Sequence, residues 1–128
     1  MEDLLYREEI LEHAGASHHR GHLEAPDLRA ELDNPLCGDR IRLELQLGPA
    51  QVIDRVRFDG RGCAISQAAA SILAGWVEGM TVEQASRLSA DDMLDRFGIR
   101  PNPARLKCVL LAWRALQRAI SPGPNAAR

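Results

Sequence analysis

The chain has few aromatic residues, a single lysine, no large excess of charge of either sign and no long apolar run. Aromatics make up 4% of its 128 residues, at Tyr6, Phe58, Trp76, Phe97 and Trp113. They are too few and too scattered for a base-stacking platform. Sixteen Lys and Arg oppose eighteen Asp and Glu, for a net charge of −2, so the basic footprint of a nucleic-acid binder is missing. No apolar stretch approaches the roughly 20 residues of a membrane helix. The opening Met1-Glu2-Asp3 carries the wrong charge for a signal peptide. These absences exclude nucleic acid and membrane as partners and lead us to expect a cytoplasmic protein. Cysteine is also scarce, at three residues, and an odd number leaves one thiol over from any disulfide framework. In a reducing compartment, three thiols in a small domain point to metal binding or catalysis. The competing reading is burial as small apolar side chains.

What is present reads as one domain. Hydrophobic residues are 45% and charged residues 27%, an ordinary globular composition, and the length suits a single core. We expect the domain to span residues 1–120, with a frayed Pro- and Gly-containing tail at 121–128. Leu4, Leu5, Ile10 and Leu11 give an amphipathic helix over 4–13, stopped by Gly15. Residues 16–35 show no period and are punctuated by Gly21, Pro26 and Pro35. Ile41, Leu43, Leu45 and Leu47 then alternate with polar residues as a half-buried strand. Val52, Val56 and Phe58 form a second strand after the turn Gly48-Pro49-Ala50, making an antiparallel hairpin.

Beyond Gly60-Arg61-Gly62 the spacing becomes helical. Ile65, Ala68, Ala69, Ile72, Leu73 and Trp76 predict a helix over 64–77 with Gly79 at its end. Thr81 with Gln84, and Ser89 with Asp92, read as N-caps of two short helices, the second ended by Gly98. Pro101-Asn102-Pro103 breaks the chain before a last helix over 104–120, with Leu106, Val109, Leu110, Trp113, Leu116 and Ile120 on one face. Strands followed by helices predict an α+β fold, with helices packed on one face of a small antiparallel sheet.

The thiols fall at junctions. Cys37 lies in the loop Asn34-Pro35-Leu36-Cys37-Gly38-Asp39, Cys63 follows Gly62 where the hairpin meets the long helix, and Cys108 lies in the first turns of the last helix. Helix N-termini favour thiolate, and Lys107, the only lysine, adjoins the third thiol. Asp39, two residues from Cys37, is the natural fourth ligand of a tetrahedral Cys₃Asp zinc site. Alone, it would read as a turn residue. No CxxC pair is present, so the fold rather than a knuckle must assemble the ligands.

Asn-Pro-Leu-Cys-Gly-Asp-Arg-Ile, Phe-Asp-Gly-Arg-Gly-Cys-Ala-Ile-Ser-Gln-Ala and Arg-Leu-Lys-Cys-Val-Leu-Leu-Ala-Trp resemble the three cysteine motifs of the U-type iron–sulfur cluster assembly proteins: IscU, SufU and the N-terminal part of NifU. The match runs from Tyr6 to Ile120. It implies a three-stranded antiparallel sheet, ligands at Cys37, Asp39, Cys63 and Cys108 for zinc or a [2Fe–2S] cluster, and a pyridoxal-phosphate cysteine desulfurase as partner. Apo iron–sulfur proteins would receive the product. The residues themselves show two strands. The candidate place for the third is 28–32, where no period announces it.

Ala64-Ile65-Ser66, Lys107 and Ala112-Trp113 resemble SufU. The short stretch 64–107 between the second and third cysteines lacks SufU's usual insertion and resembles IscU. Arg100-Pro101-Asn102-Pro103-Ala104-Arg105 stands where IscU has its Leu-Pro-Pro-Val-Lys motif, which argues against an Hsp70-type partner. Ser17-His18-His19-Arg20-Gly21 replaces a common Pro-Arg-Asn-x-Gly.

Two mechanisms fit these ligands. In one, zinc orders the thiolates and Cys37 accepts sulfur from the desulfurase persulfide. The resemblance favours Cys37, which is also a loop cysteine beside Gly38 and free to move. In the other, iron and sulfide build a cluster on Cys37, Asp39, Cys63 and Cys108, with the harder carboxylate making it labile. A closed structural zinc module is a third reading. A cysteine hydrolase is disfavoured, because all four histidines lie within 13–22, far from the motifs. His18, His19 and His22 read as a solvated loop rather than a metal site. Arg40, Arg42, Arg55, Arg57 and Arg61 read as a solvated sheet face rather than a dock for an acidic partner.

Overall fold

The computed structural model describes residues 18–35, 38–98 and 102–121. The helix expected at 4–13, all but Ser121 of the tail expected at 121–128, and Cys37 lie outside these residues. Three strands, β1 (Leu28–Asn34), β2 (Asp39–Leu47) and β3 (Ile53–Arg61), form one antiparallel sheet in the order β1-β2-β3. Four helices follow: α1 (Ala64–Val77), α2 (Val82–Ser86), α3 (Ala90–Phe97) and α4 (Pro103–Ile120). The expected α+β fold is what the chain adopts.

The sheet sorts its side chains by period two. On β2, Ile41, Leu43 and Leu45 are fully buried. Across from them in register stand Leu32, Ala30 and Leu28 of β1, and Gly60, Phe58 and Val56 of β3. This is the helix-facing side. On the other side the rows alternate in charge: Arg29, Glu44 and Arg57 in one, Glu31, Arg42 and Asp59 in the next. Opposite charges set directly across from one another support the pairing.

β1 occupies the candidate place for the third strand, 28–32, and runs on to Asn34, within the stretch 16–35 that the residue periods left irregular. Leu28-Arg29-Ala30-Glu31-Leu32-Asp33 does alternate, but it is short, has a small Ala at its centre and sits between two prolines. Its partner strand decides its conformation. β2 also begins two residues earlier than the apolar alternation, at Asp39.

α1 lies against β3, and α4 packs on β1, β2 and α1. Ala68, Ala69, Ala70, Leu73, Ala74 and Val77 of α1 are buried, as are Val109, Leu111, Ala112, Ala115, Leu116 and Ala119 of α4. Alanine lets the helices approach closely. The deepest face of α4 is therefore its alanine side, whereas Leu106, Leu110, Trp113 and Ile120, expected inside, are only half-buried. The long helix α1 is buried on most sides, so Ile65, Ile72 and Trp76 mark its periphery rather than its core.

The caps follow the sequence. Thr81 and Gln84 form a reciprocal capping box, as do Ser89 and Asp92. Pro103 starts α4 instead of preceding it, since proline is tolerated at the first helical position. The Asn102 side chain caps this helix by accepting the Arg105 N–H at 3.1 Å. Farther along, Trp113 Nε1 donates to Leu88 O at 2.8 Å and Gln117 Nε2 to Ala85 O at 3.0 Å, tying α4 to α2 and the turn after it.

Residues 18–27 form a strap across the sheet. Phe58 N–H donates to His19 O at 2.9 Å and Gly21 N–H to Phe58 O at 2.8 Å, lining the outer edge of β3. The same edge is closed elsewhere by Glu78, which accepts Val56 N–H at 2.9 Å, and by Met80 O, which accepts Ile53 N–H at 2.7 Å. The strap then crosses the polar face, where Leu23 N–H donates to buried Glu44 at 2.7 Å.

Candidate metal centre

Three of the four expected ligands are described, and they converge. Asp39 opens β2, Cys63 is the N-cap of α1, and Cys108 lies in the second turn of α4. One oxygen of Asp39 and the two Sγ atoms all lie within 4.8 Å of one another. Two donors sharing an ion at about 2.3 Å are at most about 4.6 Å apart, so small side-chain adjustments suffice for a common centre. Asp39 and Cys108 are each only 2% exposed, while Cys63 is half-buried. The centre is thus walled on two sides and open at Cys63. Cys37, the fourth expected ligand, lies outside the described residues and is joined to Asp39 through Gly38.

The local backbone explains the convergence. Asp39 Oδ1 accepts the Cys63 N–H at 3.1 Å, and Oδ2 is 4.0 Å from Cys63 Sγ. Gly62, at φ +156°, allows this approach: a Cβ there would lie 2.4 Å from Asp39 Oδ1 and 2.5 Å from Ser66 Oγ. Gly60 serves the same junction, where a Cβ would lie 1.9 Å from Arg40 O. Ser66 is buried, donates to Cys63 O at 3.0 Å and holds its hydroxyl 3.9 Å from Cys63 Sγ. Two thiols and a carboxylate are a donor set that suits zinc, and the thiols suit an iron–sulfur cluster. The residues present fit either group.

The arginines of the hairpin are largely engaged with acids. Arg40 holds Asp33 through two hydrogen bonds of 2.7 and 3.3 Å, which keep the Asp33 carboxyl below its ordinary value. Arg42 lies 3.3 Å from Glu44, and Arg57 lies 3.7 Å from Glu78. His18 and His22 are exposed, as the sequence suggested, but His19 is not. His19 is 6% exposed, with Nε2 2.9 Å from Glu78 Oε1, and its ring centroid lies 4.0 Å from that of His18. His22 Nε2 lies 2.8 Å from Asp59 Oδ2, and its Nδ1 is 3.7 Å from Glu44. His19 and His22 thus tie the strap to carboxylates of other elements. Sequence reasoning missed this because the carboxylate partners lie on distant elements.

This geometry is that of a known class of domain. The family model described as the NifU-like N-terminal domain matches residues 5–125, and the chain belongs to that family. Among its relatives, the zinc-dependent sulfurtransferase SufU of Bacillus subtilis (strain 168) is 32% identical over 136 residues, covering 93% of this chain and 91% of that protein. The iron–sulfur cluster assembly scaffold protein IscU of Thermotoga maritima is 34% identical over 133 residues, covering 91% and 93%. A solved nitrogen-fixing NifU-like protein (N-terminal) from Brucella abortus superposes with a TM-score of 0.77 at 26% identity, covering 93% of this chain and 94% of that one.

Proposed function

We propose that this protein is a U-type iron–sulfur cluster assembly protein, taking sulfur from a cysteine desulfurase and passing clusters to apo acceptor proteins. The observation that carries the reading is the convergence of Asp39, Cys63 and Cys108, from three separate elements, on one point. Family membership and an IscU relative over nearly the whole chain support it.

In this reading Cys37, Asp39, Cys63 and Cys108 hold the centre. Iron and sulfide are cargo, and the thiolates are their ordinary ligands. Sulfur arrives when the Cys37 thiolate attacks the terminal sulfur of the desulfurase persulfide. The bond between the two persulfide sulfurs breaks, the desulfurase cysteine leaves as thiolate, and Cys37 carries the persulfide. No net oxidation occurs in this transfer. Asp39 supplies the one hard oxygen among soft sulfurs, which weakens retention of a cluster and suits a protein that must release it.

A second reading is a zinc-dependent sulfurtransferase that carries sulfur without holding a cluster. The SufU relative and the SufU-like residues Ser66 and Lys107 favour it. In that reading a resident zinc ion keeps the thiolates reduced and ordered. Among the described residues no helix is long and apolar enough to cross a membrane, and the cytoplasm is the working place we propose. One experiment decides between the readings. Protein purified without added metal is assayed for zinc, iron and sulfide, and for stimulation of a cysteine desulfurase. Bound or reconstituted iron and sulfide that pass to an apo-ferredoxin support the scaffold. Zinc alone, with stimulation and no reconstitution, supports the sulfurtransferase.

A further inference from the structure

Asn34 is the last residue of β1 and is 7% exposed. Its Nδ2 is buried without a hydrogen-bond partner among the described residues. A buried amide donor left unpaired is costly, and such groups are rare enough to require a reason. The register supplies one. Asn34 stands directly across from Asp39. By strand alternation it shares the helix-facing side with Leu32 and Ala30, the side on which Asp39 meets Cys63 and Cys108. Its backbone carbonyl accepts the Gly38 N–H at 2.9 Å, so it also stands at the base of the loop that carries Cys37.

The surroundings define what this donor suits. The neighbouring donor set comprises a carboxylate and two sulfurs that bind metal as thiolates, so it is rich in electron pairs and poor in protons. A neutral amide N–H placed beside such a set donates to anionic sulfur without adding a competing cation. Groups in this position orient metal ligands and tune their hold on the ion.

We infer that Asn34 is a positioning residue of the centre, its buried amide, without a partner among the described residues, placed to donate to anionic sulfur once the centre is loaded. The inference rests on the metal-centre reading above. The sulfur has two possible sources: a metal-bound cysteine thiolate, or sulfur delivered by the desulfurase.

The test uses the full chain with ¹⁵N-labelled side-chain amides. NMR spectra are recorded metal-free, with zinc, and after incubation with a cysteine desulfurase and cysteine. The Asn34 amide resonance should move on loading. A move with zinc alone identifies a cysteine thiolate as acceptor, and a move only after sulfur delivery identifies delivered sulfur. In parallel, Asn34→Leu removes the donor at similar volume. It should leave the metal-free protein at least as stable as wild type, yet weaken zinc binding about tenfold in chelator competition, the lower end for loss of such a supporting group. An Asn34 resonance unmoved in both loaded forms overturns the inference, whether or not the Leu variant folds. So does an Asn34→Leu variant that loses metal-free stability and keeps wild-type zinc affinity, which is the pattern of a merely structural residue. If wild type binds no zinc and accepts no sulfur, the metal-centre reading itself fails.

Discussion

The Asp39 carboxylate accepts the backbone N–H of Cys63 at 3.1 Å, which ties the first residue of β2 to the N-cap of α1. Asp39 therefore has two tasks, one for the helix and one for the centre, and substitutions can separate them. Asp39→Ala removes both, and should lower metal-free stability by about 1 kcal/mol, the usual net worth of one hydrogen bond. Asp39→Asn keeps an acceptor oxygen and should hold metal-free stability near wild type. Both should weaken zinc binding. Urea unfolding of the metal-free proteins, beside zinc competition, checks the separation.

On a reconstituted [2Fe–2S] cluster, Asp39→Ala should lengthen cluster lifetime and slow transfer to an apo-ferredoxin, because the hard ligand is gone and a thiol from solution can replace it. Cys63→Ser or Cys108→Ser should shorten the lifetime. Absorbance decay of the cluster measures both. Faster decay in Asp39→Ala would remove the carboxylate from any role in release.

Binding of one zinc ion per chain should raise the melting temperature, and chelation should lower it, since the ligands come from separate segments and only the folded chain assembles them. Calorimetry with and without chelator reads the difference. An unchanged transition after complete chelation counts against a native zinc site.

Sulfur transfer should add steps of about 32 Da, the mass of one sulfur per persulfide, in the presence of a desulfurase and cysteine. Cys37→Ser should abolish them. Intact-protein mass spectrometry decides, and steps that survive in Cys37→Ser but vanish in Cys108→Ser would move the acceptor to Cys108.

The strap makes stability sensitive to acid. Burial pushes the Glu78 carboxyl up, but the His19 hydrogen bond, the Val56 N–H and the charges of His19 and Arg57 together hold it below its ordinary value of 4.5. A carboxyl lowered on folding stabilises the native state above its unfolded pKa, and that contribution disappears as pH falls through the folded value. Wild type should therefore lose urea resistance on acidification below about pH 4.5. Glu78→Gln should be less stable at neutral pH and show a shallower decline over the same interval.

Gly62→Ala should be more disruptive than any of these near the centre. Its φ of +156° and the contacts with Asp39 and Ser66 leave no room for a methyl group. A cost of about 1–3 kcal/mol is expected from the backbone conformation alone, with zinc affinity reduced as Asp39 is displaced. Thermal melts and zinc competition on the same preparation check both effects.

Much of this molecule was legible in its residues, for identifiable reasons. The hairpin, the capping boxes at Thr81 and Ser89 and the long helices rest on local periods and local hydrogen bonds, which a sequence displays directly. The candidate ligands were legible because the thiols fall at junctions and near helix starts, and because their flanking residues match a family's three motifs. β1 was hidden because a short strand with alanine at its centre draws its conformation from β2. The burial of His19 was hidden because Glu78 stands far along the chain. Asn34 read only as part of the loop that carries Cys37, and its significance depends on a strand register that only folding reveals.

Closure of β3 by the strap has a consequence for the molecule among its neighbours. Among the described residues, the only strand edge left for another chain to extend is that of β1. There Arg29, Glu31 and Asp33 project from the polar face, and Pro35 follows directly. Charge and proline on an exposed edge discourage strand-to-strand association. A crowded solution of this protein is thereby guarded against the growth of intermolecular sheet, the hazard an open three-stranded sheet would otherwise carry at both sides.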